Sequence, residues 1–169
     1  MSESTRQRIL VGVSGSRASV AALHWAADEA QRRHARLTVV CAWDDSLRLA
    51  PYAEVTESHA AADAKAALRD GLAAAMRTAL GPVPPDGLDA ELAVGIAERV
   101  LIDRSATADL LVIGTARLHD GTGPSVGPVL RACLCRAACP VVVVSPGAGQ
   151  LATLLPDDIL RSRLSALTG

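Results

Sequence analysis

The sequence predicts an α/β fold, a parallel sheet with helices on both faces. Three observations lead there. Four short runs are almost continuously apolar, as strands buried on both faces are: RILVGV at 8–13, RLTVVCAW at 36–43, LLVI at 110–113 and VVVV at 141–144. Segments with helical spacing of apolar residues separate them. Gly, Ser and Pro punctuate the passages from one to the next. Strands alternating with helices imply crossover connections, and crossovers imply a parallel sheet.

Arg8 to Val13 is the first strand. Ser14-Gly15-Ser16 turns the chain, with Ser16 suited to cap the next helix. Val20 to His34 carries Ala22, Trp25, Ala26 and Glu29 on one stripe, with Leu23, Ala27 and Ala30 beside it. Arg32, Arg33 and His34 favour its C-terminal dipole. Arg36 to Trp43 is the second strand, and Asp44 to Ala53 a loop containing Pro51. Glu54 to Leu80 is a long alanine-rich helix with Ala64, Leu68, Leu72, Ala75, Met76 and Ala79 on one face. The segment GPVPPDG at 81–87 stops it. Leu88 to Val94 alternates as an edge strand does, and Ile96 to Ala106 is the third helix. The fourth strand, Leu110 to Ile113, leads into a glycine-rich loop, Gly114 to Gly127. A helix, Pro128 to Ala138, and a fifth strand, Val141 to Val144, complete the domain at 8–146. Residues 1–7 are polar and expected to be disordered. Residues 147–169 form a tail in which Pro156 to Leu167 has the spacing of a short amphipathic helix.

The composition excludes several classes. At 169 residues there is room for one α/β domain and not two. Half the residues are apolar while Trp25, Trp43 and Tyr52 are the only aromatics, so the core is aliphatic. Seventeen basic and 18 acidic residues give no reason to expect nucleic acid or an anionic membrane as partner. No apolar run approaches the ~20 residues of a membrane span, and MSESTRQR has no signal-peptide character, so a cytoplasmic location is expected. Cys133, Cys135 and Cys139 cluster, but no second Cys/His group stands at ligand spacing, and no metal site is expected. Buried small hydrophobes are the ordinary reading of these cysteines, a redox role the rival. His24, His34, His59 and His119 lack a fixed-spacing partner for acid–base or nucleophilic chemistry. Ser14-Gly15-Ser16 lacks the context of a nucleophile turn.

The stretch from Asp109 to Ser145 is the most informative. Strand, glycine-rich turn and helix N-terminus together present backbone N–H groups to an anion. Here the chain resembles a known family. Residues 9–43, then Gly95-Ile-Ala97 with Leu101, then DLLVIG and CPVVVV, look like successive blocks of a universal stress protein domain. The resemblance implies a five-stranded sheet in the order 3-2-1-4-5 with four flanking helices. This is the adenine nucleotide alpha hydrolase-like layering, of the flavodoxin and Rossmann type, with its ligand site between strands 1 and 4. It places a candidate cofactor pocket at Gly12, Val13, Ser14, Ala42, Gly114, Arg117, Gly127, Pro128 and Val129.

One branch of that family binds ATP through Gly, two residues, Gly, nine residues, Gly, then Ser or Thr. Carried over residue by residue, the outer glycines are Gly114 and Gly127. The middle glycine is Arg117, the Ser/Thr is Pro128, and the aspartate ending strand one is Ser14. Arginine resists the positive φ that glycine allows, proline removes a hydroxyl and an N–H together, and serine removes a carboxylate. Each lost charge-assisted bond weakens binding by ~1.5–3 kcal/mol. The expectation is therefore a non-catalytic regulatory or interaction protein of the stress response, with no cofactor and no family-type ATP binding. The alternative is a sensor of ATP, AMP or cyclic AMP gripping phosphate through Arg117, with slow hydrolysis compatible with it. An apolar edge at Val141 to Val144 needs a cover. A homodimer through that strand is expected, alongside a regulatory partner, and the residue 150–169 tail is the alternative cover.

Overall fold

The computed structural model describes residues 6–44, 56–116, 127–146 and 151–154. Among these residues ten elements follow in order: β1 (Arg8–Gly12), α1 (Arg17–Arg33), β2 (Arg36–Trp43), α2 (Thr56–Leu80), β3 (Leu88–Val94), α3 (Ala97–Ser105), β4 (Leu110–Gly114), α4 (Pro128–Arg136), β5 (Val141–Val144) and β6 (Leu151–Leu154). The sheet runs β3-β2-β1-β4-β5-β6. Its first five strands are parallel, so the expected order 3-2-1-4-5 is present.

Side-chain alternation divides the core. Ile9, Val11 and Val13 face α1 and α2, together with Leu37, Val39 and Cys41. Leu10, Val40, Leu111 and Ile113 face α3 and α4, where Leu101, Leu130, Cys133 and Leu134 meet them. The four central apolar runs are buried because helices cover both faces of those strands. The third strand sits at an edge, paired to β2 alone. Its Asp89 and Glu91 carry charge there, paired with Arg36 (3.9 Å) and Arg104 respectively. Charged residues on an edge discourage pairing with other chains.

Helix ends depart from expectation in instructive ways. The first helix begins at Arg17, three residues before Val20, because Ser16 does cap it: its side chain accepts from the Ser19 N–H at 3.2 Å. Its buried face is Ala18, Ser19, Ala22, Leu23, Ala26, Ala27 and Ala30. Leu72 and Ala75 of α2 are buried, but Ala64 is exposed, contrary to its expected place on that face. The fourth helix stops at Arg136 rather than Ala138, since Ala137 turns to extended backbone ahead of Pro140.

One close approach fixes the top of the sheet. A Cβ on Gly114 would lie 2.1 Å from the Ala18 carbonyl oxygen and 2.7 Å from the Ser19 nitrogen. Only glycine lets the first turn of α1 rest on the end of β4. Gly12 is less constrained, because a Cβ there meets only the movable end of Leu101 at 3.0 Å.

The reading of β5 as an unpaired edge is corrected. Leu151–Leu154 pairs with it antiparallel, Val141 opposite Leu154 and Val144 opposite Leu151. The tail, not a second copy, occupies that side within this chain. Nor are the valines free to form an interface with their side chains: Val141, Val142, Val143 and Val144 are all buried, shared between the two core layers. The expected tail helix, Pro156 to Leu167, lies outside the described residues.

Two outcomes follow. Removing residues 147–169 bares the β5 edge, and sedimentation velocity should then show concentration-dependent association beyond that of the full chain; an unchanged profile would argue against β6 as its cover. Gly114→Ala forces a backbone clash and should destabilise by about 2 kcal/mol or more, a fall of roughly 4–8 °C in Tm by calorimetry. Gly12→Ala should change Tm by far less.

Candidate functional site

The chain leaves β1 towards β2 on one side and reaches β4 on the other, so the strand order reverses between β1 and β4. Ligands of open α/β sheets bind beyond the strand C-termini at such a point. A cleft of about 1080 Å3 opens there. Its floor and walls are apolar: Val13, Val40, Ala42, Leu101, Ile113, Val129 and Leu130 all line it. The polar lining comes from Ser14, Ser16, Arg17, Ser19 and Thr115.

The turn after β1 is held by its serines. Gly15 takes φ +80°, which a side chain would resist. The Ser14 N–H donates to Ser19 Oγ at 3.2 Å, and Ser19 Oγ donates to the Ser16 carbonyl at 2.9 Å. Ser14 Oγ donates to Ser16 Oγ at 3.1 Å. These bonds tie the turn after β1 to the first turn of α1. Val13 continues the sheet by donating to the Val40 carbonyl at 2.9 Å, and the Thr115 N–H donates to the Val144 carbonyl at 2.9 Å.

The opposite mouth is the start of α4. Gly127 is its N-cap, with no side-chain hydrogen bond, and Pro128 occupies the first helical position. Proline fits there because its φ suits the helix, but it withholds an N–H that a helix start otherwise offers. The first helical bond of α4 runs from Arg131 N–H to the Gly127 carbonyl at 2.9 Å.

Of the residues singled out from the sequence, Gly12, Val13, Ser14, Ala42, Gly114, Gly127, Pro128 and Val129 all line the cleft. Arg117 lies outside the described residues, as do His119, Gly121 and Gly123. Sequence reasoning passed over Arg17, Ala97, Leu101, Thr115 and Pro146, which line it as well. Arg17 could have been found, since it directly follows the cap of the helix at the switch point. Among the described residues, no group of three His, Cys, Asp or Glu side chains could hold a metal ion. His24 pairs with Asp28 on the exposed face of α1 at 3.6 Å, away from the cleft lining. No helix among the described residues is long and apolar enough to cross a membrane.

Comparison with known proteins agrees with this architecture. The Universal stress protein family profile matches residues 5–145. Universal stress protein Rv3134c of Mycobacterium tuberculosis is 32% identical over 145 residues, 86% of this chain; the chain spans about half the length of the curated relatives it matches, 51% here. The structure of universal stress protein UspA from Lactobacillus plantarum superposes with a TM-score of 0.62 at 26% identity, covering 83% of this chain and 99% of that one. A universal stress protein solved in complex with cAMP shares the fold, with TM-score 0.57 at 24% identity over 83% of this chain and 97% of that one. The profile match, which spans every strand from β1 to β5 and the elements around the switch-point cleft, places this chain in the universal stress protein family.

Proposed function

We propose that this chain is a non-catalytic regulatory protein of the stress response, whose cleft does not hold ATP in the way the ATP-binding branch of its family does. The observation that carries this is Pro128 at the first position of α4. Where that branch offers a hydroxyl and an N–H to phosphate, this chain offers neither. Ser14, in place of the aspartate, bonds to Ser16 within its own turn. The described lining of the cleft contains no carboxylate, histidine, lysine or cysteine, so the serine and threonine hydroxyls there have no described base beside them to activate them. Its partners in this reading are a second copy and a regulatory protein. The second copy would meet β6, not a bare β5, because β6 already holds that side.

A second reading, an adenine-nucleotide sensor, is favoured by the size of the cleft. At about 1080 Å3, with mainly apolar walls, it has room for a nucleoside. The cAMP complex of a protein with this fold makes adenine nucleotides the natural first probes. Equilibrium dialysis with labelled ATP, AMP and cyclic AMP separates the readings. Under the first, ATP shows no saturable retention at micromolar concentration. Tight ATP binding that is lost in Arg117→Ala favours the sensor.

The cysteines fit a protein without redox turnover. Cys133 and Cys139 are buried. Burial pushes both thiols up to about 11, helped by Glu98 and Cys139 at Cys133 and by Asp109 at Cys139. Burial also raises the Cys41 thiol. The reactive species is the thiolate, which near pH 8 would be roughly one part in a thousand at Cys133 and Cys139. A raised thiol pKa contributes stability that is full below the unfolded thiol value and is lost as pH climbs towards about 11. Iodoacetamide on the native protein near pH 8 should label the exposed Cys135 and leave the other three until denaturant is added. Mass spectrometry reads the sites, and native labelling of Cys133 or Cys139 would count for a redox role.

A further inference from the structure

Among the described residues lining the cleft, one side chain is charged, Arg17. It is exposed, and no ion pair or hydrogen bond engages its guanidinium among the described residues. Ser16 lies next to it. Ser16 Oγ accepts from the Ser19 N–H at 3.2 Å and from the Ser14 hydroxyl at 3.1 Å. A hydroxyl has two acceptor sites and one proton, so its own O–H is left to donate. At the other end Pro128 lacks an N–H and Gly127 a side chain, so the start of α4 offers backbone N–H groups of its first turn and no side-chain donor. Between the two ends the walls are apolar. Among the described residues the side chains of the cleft are therefore lopsided, with the uncommitted cation and hydroxyl donor both on the α1 side.

We propose that Arg17 determines what this cleft accepts: a compound with an apolar or aromatic body and one compact phosphate, its phosphate held at the α1 mouth by the Arg17 guanidinium and the Ser16 hydroxyl. A guanidinium grips phosphate in bidentate fashion, and the absence of a carboxylate from the described lining leaves nothing there to repel the anion. This rests on the reading that the α4 mouth does not cradle a polyphosphate.

Adenosine and AMP differ by one phosphate and make the test. Isothermal calorimetry on the full chain should find AMP about tenfold tighter than adenosine, as a charge-assisted pair provides. Arg17→Gln should abolish that advantage while leaving adenosine affinity unchanged. Arg17→Lys should keep part of it, and Arg117→Ala all of it. Arg17 is exposed, so the variants should retain the wild-type Tm, which confirms that they are folded. The inference is overturned if AMP binds no better than adenosine, if neither binds, or if the advantage survives Arg17→Gln. The underlying reading fails separately: ATP binding well above AMP, and lost in Arg117→Ala, would restore a polyphosphate cradle at the loop whatever Arg17 does to AMP.

Discussion

The contact between Gly114 and the Ala18 peptide is the constraint on which the rest of the molecule depends. It sets the first turn of α1 directly on the end of β4, so that the turn after β1 and the chain leaving β4 border one opening. The serine bonds of residues 14, 16 and 19 then keep the α1 side of that opening in shape. A larger residue at 114 would lift the helix from the sheet and alter the cleft as a by-product. Position 114 thus has a reason to be glycine that involves no ligand. Its presence beside Arg117 and Pro128 is consistent with packing demanding the first glycine of the loop while nothing in the fold demands the rest of the phosphate pattern.

Most of the framework was legible because its signals are local. The strands buried on both faces read as unbroken apolar runs, and Ser16 is legible as a cap even though the apolar stripe is expected only from Val20 onward. Ala18 stands in phase with Ala22, Ala26 and Ala30 of the buried face, and the cap at Ser16 starts the helix just ahead of it. What escaped was non-local. The four residues Leu151–Leu154 carry little strand signal, and their conformation comes from pairing with β5. Ala64 looked like a core position because α2 has one periodicity throughout, yet that position is exposed and the buried residues come later, at Leu72 and Ala75.

The site divides in the same way. Residues at strand ends and at the start of α4 could be named from the resemblance, and they do come together around one cleft. The cleft's charge could not be named so easily. Among the described residues it resides on Arg17, a position with no part in the loop pattern, whereas that pattern points towards Arg117. The identity of a glycine was equally ambiguous in one dimension: Gly114 reads as a phosphate-loop residue in sequence and as a packing residue once the Ala18 carbonyl is seen beside it.

The hairpin between β5 and β6 has a further consequence for assembly. Only residues 145–150 separate the two strands, so the tail meets its partner at an effective concentration of about a millimolar or more. A strand offered by another molecule at ordinary cellular levels competes against that tether and loses. Exchange becomes favourable only when the tether is cut, lengthened or drawn away by something that binds the tail itself, which would make the C-terminal segment a latch on self-association rather than a bystander.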